Sequence, residues 1–353
     1  MNTHRLAVIP GDGIGREVIP VGLKVIDAAG DRFGFRIEPS EFPWGCGYYL
    51  SHGAMMPEDG LTRLRDFDAI YLGAVGDPRV PDHVSLWGLL LPIRKSFELF
   101  ANVRPIRLLD GIDGPLAGRR PEDIDMMFVR ENTEGEYAGI GGRMAVGTPQ
   151  EIALQTSVHT RRSTERILRF AFDLARARRR RLAHVTKSNA LQYTAVMWDD
   201  VAAEIGRDYP DVEVRKLHVD AAAYQMVLHP DWFDVLVASN LYADILTDLG
   251  AALQGSLGLA ASANLDPTRQ APSMFEPVHG SAPDIAGQGM ANPMAAIWTA
   301  SLLLEHLGET EASRAVFEAL TAVVRAREVR TPDLGGHNRT IEVGDAVLGA
   351  MAA

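Results

Sequence analysis

Asp244 and Asp248 stand four residues apart in the stretch Asn240-Leu-Tyr-Ala-Asp-Ile-Leu-Thr-Asp-Leu-Gly250. On a helix that spacing points both carboxylates the same way. Two like charges so placed weaken a helix slightly unless a cation lies between them. Hard oxygen ligands at a strand-to-helix corner suit Mg²⁺ or Mn²⁺. The bland alternative is that Asp244 complements the positive helix N-terminus and Asp248 is merely solvated. Lys187 closes an apolar run, Leu182-Ala-His-Val-Thr-Lys187. Burial there would lower its pKa and make it a candidate base. Standing alone, it reads better as a lysine snorkelling to the surface. Arg94, Arg104 and Arg130 each fall near the end of an element. Singly, each reads as a surface salt-bridge partner. Together they could clamp carboxylates, which guanidinium groups bind two-pronged.

The elements that must position these groups alternate between strand and helix. Asp234-Val-Leu-Val-Ala-Ser239 reads as a buried strand feeding the acidic helix, with Ser239 or Asn240 as N-cap and Gly250 as stop. At the start of the chain, Leu6–Ile9 reads as a strand, Pro10-Gly-Asp-Gly-Ile-Gly15 as a glycine turn, and the residues to about Ala29 as a helix. The glycines give G-x-G-x-G rather than G-x-G-x-x-G, and no acidic residue ends a second strand at the right distance. A Rossmann reading is therefore rejected, although the glycines permit close backbone approach. Further strands are read over Phe35–Glu41, Asp68–Ala74, Asn102–Ile106, from Met126, and over Val212–Val219, the last ending at Asp220. A helix is predicted over Leu86–Phe100 despite Pro92. Residues 138–158 are rich in glycine and turn formers and then alternate, which reads as an exposed hairpin arm reaching toward a second subunit. Phe275–Gly287 reads as a long loop, and Asn292–His306 as a buried helix.

Composition narrows the class. The 353 residues suffice for two domains or one large α/β unit, and 46% hydrophobic with 7% aromatic content is ordinary for a globular enzyme. A formal net charge of −11 argues against a nucleic-acid surface, which needs clustered cations. The basic run Arg176–Arg181 reads as a solvated helix end. Cys46 is the single cysteine, so neither a disulfide framework nor a cysteine metal site is available. No signal peptide is visible and no apolar run reaches membrane-spanning length, from which a cytoplasmic location is expected.

Five stretches resemble those of the β-decarboxylating dehydrogenases, the isocitrate/isopropylmalate dehydrogenase family that includes homoisocitrate, D-malate and tartrate dehydrogenases. They are Pro10–Gly15, Val129-Arg-Glu-Asn-Thr-Glu-Gly-Glu-Tyr137, Thr186-Lys-Ser-Asn189, Ser239–Gly250 and Glu276–Gly287, in family order. The resemblance implies the isopropylmalate dehydrogenase-like α/β fold, with two interleaved domains and a cleft between them. One domain would combine residues 1–100 and 252–353 and bind the cofactor. The other, 101–251, would carry the dimer contacts and the arm. By position, Arg94, Arg104 and Arg130 would bind substrate carboxylates, Tyr137 would be the acid, and Lys187 of the partner subunit the base. Asp244, Asp248 and Asp220 of the partner subunit would hold Mg²⁺ or Mn²⁺. His279, Gly280, Ser281, Ala282, Asp284 and Asn292 would hold the dinucleotide. NADP-preferring relatives carry Lys and Tyr where Asp284 and Ile285 stand; a carboxylate accepts ribose hydroxyls and repels a 2′-phosphate, so the resemblance implies NAD. Whether K⁺ also takes part is left open.

The choice of diacid in this family rests on the segment before Arg94, here Ser85-Leu-Trp-Gly-Leu-Leu-Leu-Pro-Ile-Arg94. Tricarboxylate enzymes carry Ser and Asn where Gly88 and Leu90 stand. Isopropylmalate enzymes share Leu90 and Leu91 but usually carry an acid where Trp87 stands. Val80–Gly88, Trp44, Tyr48-Tyr49, His52–Pro57 and Ser262–Pro267 look instead like D-malate and tartrate dehydrogenases. Trp87 would narrow the pocket toward small C4 acids, unless it is only core packing. Asp77, the Ala221–Ala223 run with Tyr224-Gln225, and Pro92 as an interruption of the helix depart from the pattern. The expected reaction is NAD- and metal-dependent oxidative decarboxylation of D-malate, tartrate or both, by a homodimer with shared sites. The alternatives are 3-isopropylmalate oxidation, a non-redox decarboxylation as a side activity, and a silent relative, which would have lost Tyr137, Lys187 or the aspartates.

Overall fold

The computed structural model describes residues 2–352. The elements run β1 (Asn2–Gly11), α1 (Gly15–Phe33), β2 (Phe35–Glu41), α2 (Cys46–His52), α3 (Gly60–Leu64), β3 (Ala69–Ala74), α4 (Asp82–Ser85), α5 (Leu91–Ser96) and β4 (Ala101–Arg107). They continue with β5 (Asp125–Glu131), β6 (Gly135–Met144), β7 (Ile152–Val158), α6 (Arg161–Ala177), β8 (Arg181–Thr186), α7 (Thr194–Gly206), β9 (Glu213–His218), α8 (Val219–Leu228) and β10 (Val235–Ala238). Last come α9 (Asn240–Leu253), β11 (Ala261–Leu265), β12 (Ser273–Pro277), α10 (Met294–Leu307), α11 (Thr310–Ala326) and α12 (Thr340–Ala352).

Ten strands form one mixed sheet in the order β2-β1-β3-β12-β11-β4-β5-β10-β8-β9. Each flank is parallel, as expected of strands fed by helical crossovers. Antiparallel pairings of β12 with β11, β11 with β4 and β4 with β5 join the flanks at the centre. The first flank draws its strands from both the start and the latter part of the chain, and the second from the middle. Apolar side chains segregate to match. Helices α1, α10, α11 and α12 cover one face of the first flank, and Trp44, Met55, Leu64, Leu89, Ile93 and Phe97 fill the other. Helices α6 and α7 cover one face of the second flank, and α8 and α9 the other. Beside this body, β6 and β7 pair as a separate antiparallel hairpin, mostly exposed. The architecture is the isocitrate dehydrogenase-like α/β fold that the resemblance implies. Among the described residues no helix is long and apolar enough to cross a membrane.

Several local expectations are corrected. The segment predicted as one helix over Leu86–Phe100 is a π-helical turn over Leu86–Leu90 followed by α5, and the chain leaves the helix before β4. Pro92 does not interrupt α5. The helical run is unbroken from Asp82 to Ser96, and Pro92 falls directly after the π turn, a place where a helix accommodates an irregular hydrogen-bond ladder. Gly250 does not stop the acidic helix, which runs on to Leu253. A Cβ at Gly250 would collide with the Ile106 side chain, so the glycine serves the crossing of α9 over β4. Residues 275–277 of the predicted loop belong to β12, and the small residues of 261–265 form β11. Both strands are buried on two faces, so neither shows the exposed polar face that marks a half-exposed strand.

Candidate active site

Strands β4, β5, β11 and β12 carry the site because their registers align polar residues on one face. Asn102 lies opposite both Arg130 and Asn264, and Ser262 lies opposite Glu276. Residues two apart on a strand share a face, so Arg104 joins Asn102 and Ser262 joins Asn264. A chain of hydrogen bonds makes the row continuous. Arg104 Nε donates to Asn102 Oδ1 at 2.8 Å, and Asn102 Nδ2 donates to Asn264 Oδ1 at 2.9 Å. Asn264 Nδ2 donates to Glu276 Oε1 at 2.9 Å. Glu276 also takes Arg94 from α5 at 2.6 Å. Asn102 and Asn264 are fully buried, and such groups are stable only when every polar atom finds a partner.

Arg94, Arg104 and Arg130 are between 3% and 6% exposed. They are therefore not surface salt-bridge partners. Helix α9 meets them from above. Asp244 accepts from Arg130 through Oδ1, with Arg104 3.4 Å away, and accepts from the Tyr137 hydroxyl through Oδ2 at 3.1 Å. Arg104 also donates to Thr247 Oγ1 at 2.6 Å, and Arg130 to Asn240 Oδ1 at 2.9 Å. Burial alone would raise the Asp244 carboxyl, but Arg130 and Arg104 outweigh it and hold it below the usual carboxylate range. Burial raises Asp248 and the neighbouring Asp244 adds to that, with Arg104 and Arg130 opposing. Burial also raises the Tyr137 hydroxyl, with Asp244 adding and Arg130 opposing. Tyr137 thus stays protonated through neutral pH.

A cavity of about 140 Å³ opens between these groups and the first flank. Leu90, Arg94, Arg104 and Glu276 line it on one side, and the ends of β3 and the His279-Gly280 loop on the other. Two buried nitrogens facing this region have no partner, Arg94 Nε and His279 Nε2. An unsatisfied guanidinium nitrogen beside a cavity suits an anionic ligand. Arg94, Arg104 and Arg130 balance Glu276, Asp244 and Asp248 in formal charge. A divalent cation together with a dianion would preserve that balance.

Other predicted residues take different places. Ser281 closes the glycine turn: its carbonyl accepts from Ile14 N at 2.9 Å, and a Cβ at Gly13 would collide with it. The close approach those glycines permit is thus to the chain itself. Ala282 holds a positive φ of 41° in the loop. Asp284 is exposed and its carboxylate makes no hydrogen bond, which leaves it free to accept sugar hydroxyls. Asn292 is already engaged, donating to Asp333 Oδ2 at 2.9 Å and accepting from Met294 N at 3.0 Å at the start of α10. Trp87 does not line the cavity; it packs by Gly139 and Lys95. Lys187 follows β8 and pairs with Asp220, whose carboxyl that bond lowers. Neither makes a hydrogen bond or ion pair to the arginine and Asp244 cluster. Among the described residues no three His, Cys, Asp or Glu side chains gather in a metal-holding group.

Within one chain, Asp244 and Asp248 are the carboxylates that could hold a divalent ion, and Asp248 has no ion pair among the described residues. Two oxygen donors on one helix face fit Mg²⁺ or Mn²⁺ as a partial shell. The free His279 nitrogen and the free Asp284 carboxylate fit a dinucleotide along the 279–292 loop. The sequence assigns no site role to Glu276, Asn102, Asn264 or Thr247, and offers Asn240 only as a helix cap. The alternation Asn102-Val-Arg104 and Ser262-Ala-Asn264, polar on one face of an otherwise apolar strand, was the signal available.

The chain is similar to known proteins along its whole length. Residues 5–347 match the family model described as isocitrate/isopropylmalate dehydrogenase. A probable tartrate dehydrogenase/decarboxylase of Agrobacterium vitis is 52% identical over 100% of this chain and 99% of its own length. D-malate dehydrogenase [decarboxylating] of Escherichia coli is 49% identical, covering 98% of each chain. The crystal structure of isocitrate dehydrogenase from Methylococcus capsulatus superimposes with a TM-score of 0.90 at 36% identity, covering 99% of this chain and 100% of that one. Whole-length similarity and the shared fold together show that this chain belongs to the isocitrate/isopropylmalate dehydrogenase family, as a decarboxylating dehydrogenase of the tartrate and D-malate type.

Proposed function

We propose that this chain carries out NAD-dependent, divalent-metal-dependent oxidative decarboxylation of a small 2-hydroxy diacid, D-malate to pyruvate and CO₂, tartrate, or both. The observation that carries the reading is a buried arginine group: Arg94 and Arg104 line a small cavity, and Arg130 joins Arg104 through Asp244, which also accepts from Tyr137. The relatives named for tartrate and D-malate favour the C4 diacids.

Arg94 offers its unpartnered Nε to a substrate carboxylate, and Arg104 and Arg130 frame the rest of the anion. Asp244 and Asp248 would hold a divalent ion, which would polarise the C2 oxygen as a Lewis acid, and the 279–292 loop would hold a dinucleotide, which would accept hydride from C2. The C2 hydroxyl proton passes to a base. The C3–C4 bond then breaks, CO₂ leaves, and Tyr137 returns a proton to C3. Among the described residues no lysine side chain makes a hydrogen bond or ion pair to the arginine and Asp244 cluster of its own chain. Lys187 and Asp220 form a ready pair outside the cluster, which supports a homodimer in which Lys187 and Asp220 of the partner subunit complete the site.

The test is NADH formation by the purified protein with Mn²⁺ and K⁺, offering D-malate, L- and meso-tartrate, 3-isopropylmalate and isocitrate, with EDTA as control. A kcat/KM preference for a C4 diacid that EDTA abolishes is expected. One observation favours the second reading, 3-isopropylmalate: Leu90, and not Trp87, lines the cavity. A preference for that substrate would establish it.

A further inference from the structure

Lys95 and Trp87 make an arrangement that neither the arginine row nor the metal carboxylates require. Lys95 follows Arg94 on α5, yet its side chain turns away from the cavity. Its Nζ donates to the backbone carbonyl of Tyr137 at 2.6 Å and to that of Ala138 at 3.3 Å. The same ammonium lies 4.8 Å from the centre of the Trp87 ring. Trp87 in turn covers the next residue, Gly139, whose φ is 86°. A Cβ at Gly139 would fall 2.9 Å from the Trp87 ring, so the strand and the ring touch there without room for a side chain. Three consecutive residues at the root of β6 are thus gripped from outside by two side chains of the segment preceding β4. On the inner side, Tyr137 is held only at its ring and hydroxyl, by Arg130 at 5.6 Å and Asp244 at 3.1 Å.

A charged donor shared between two carbonyls and an aromatic face is stronger than a neutral hydrogen bond. Beyond Gly139 the hairpin is exposed on both faces, and its register with β7 is irregular between Gly135 and Ile140. Between Gly135 and Ile140 the hairpin therefore fixes the backbone beside Tyr137 only through Gln155 Nε2, which donates to the Glu136 carbonyl at 2.6 Å. The clasp holds the Tyr137 carbonyl itself.

We propose that Lys95, braced by Trp87, is the positioning residue for Tyr137, and that Trp87 influences turnover through this clasp rather than by limiting the size of the substrate. The inference rests on the reading of Tyr137 as the proton donor given above. Trp87 then acts on every diacid alike, because it governs where the acid stands and not how much room the cavity has. Size selection falls to Leu90, which does line the cavity.

The experiment compares Lys95→Met, Lys95→Arg and Trp87→Ala with the wild type, in steady-state kinetics and in amide hydrogen exchange. Lys95→Met keeps the stem but loses the donor. Its kcat should fall about 10- to 100-fold, the scale of a misplaced catalytic group, with KM for diacid and NAD within about threefold. Lys95→Arg retains a cationic donor and should recover most of kcat. Trp87→Ala should lower kcat for D-malate, tartrate and 3-isopropylmalate by a common factor. Peptides spanning 135–144 should exchange faster in Lys95→Met, with α5 and β4 unchanged. A wild-type kcat in Lys95→Met would overturn the proposal. So would a selective gain on 3-isopropylmalate in Trp87→Ala, since that is the behaviour of a size filter. If the wild type turns over none of the diacids, the functional reading fails. The exchange measurement, which needs no substrate, then decides the clasp, and unchanged exchange at 135–144 sinks it.

Discussion

Tyr137 and Asp244 face each other hydroxyl to carboxylate, 3.1 Å apart, while the second oxygen of Asp244 is turned to Arg130. The carboxylate therefore joins the proton donor to the anion-binding cations in one contact. Tyr137→Phe removes the donor and leaves the ring that packs against Arg130. Turnover should fall about 10²- to 10³-fold, the usual worth of a general acid. Thermal unfolding should change by no more than about 1 kcal/mol, since the lost bond is half-exposed. Turnover within a factor of two of wild type would remove Tyr137 from the mechanism.

Lys187 and Tyr137 serve different sites of a dimer if the sharing proposed above is right. Lys187→Ala and Tyr137→Phe homodimers should each be nearly inactive. Refolded together at equal amounts, they should recover up to about a quarter of wild-type activity, because half the dimers would be mixed and each would hold one intact site. No recovery after demonstrated subunit exchange would place both residues in the same site. Full activity of Lys187→Ala alone would sink its assignment as base.

How far this site could be read from sequence depended on whether its signal was local. The acidic helix announced itself through a four-residue spacing after an apolar strand, and the structure keeps that corner, with Ser239 extended before α9. The N-cap was less legible. Ser239 makes no side-chain cap bond, and Asn240, inside the helix, spends its amide on Arg130 and on the Glu134 carbonyl. Tertiary demand there overrode capping chemistry. The exposed hairpin was legible because turn residues and alternation are local signals. Glu276 was not, because its meaning lies in partners 182 and 12 residues away, Arg94 and Asn264. The π turn ahead of α5 was hidden for a similar reason: one extra residue in a helical turn leaves no mark in hydrophobic periodicity.

Asp248 carries the metal prediction. Its carboxylate is raised by burial and by Asp244 one turn away, so a cation between the two relieves an existing repulsion. Saturating Mn²⁺ should raise the unfolding temperature, by about 2.7 kcal/mol of stability at a hundredfold excess over Kd. Asp248→Asn should lose most of that shift while unfolding at or slightly above the wild-type temperature without metal. An equal Mn²⁺ shift in both proteins would place the ion elsewhere.

Asp284 is exposed and unpaired, so its substitution tests the cofactor without disturbing a contact. Asp284→Lys should weaken NAD use about tenfold or more and admit NADP, because an ammonium group replaces a carboxylate where a 2′-phosphate would lie. The ratio of kcat/KM for the two dinucleotides is the measurement, and an unmoved ratio would falsify the NAD assignment.

His306 gives a pH dependence remote from the cleft. It packs against Phe275, 5.3 Å between ring centres, at the end of α10. Burial pushes its pKa down to about 4, the nearby Arg269 adds to that, and Asp266 opposes. The folded state thus holds the neutral ring, whereas the unfolded chain protonates it near pH 6.5. The associated stability is fully present above about pH 6.5 and is lost as pH falls toward 4. Allowing for its partial exposure, the loss is about 1–2 kcal/mol. His279, also lowered by burial, contributes in the same direction. Depressed carboxylates such as Asp244 and Glu309 act only at lower pH, as it falls through their own reduced values. His306→Gln should therefore flatten the fall of unfolding temperature between pH 6.5 and 4 without removing it, and leave the steeper loss below pH 4 in place. An unchanged slope in that upper window would mean that His306 titrates in the folded protein as it does in the unfolded chain.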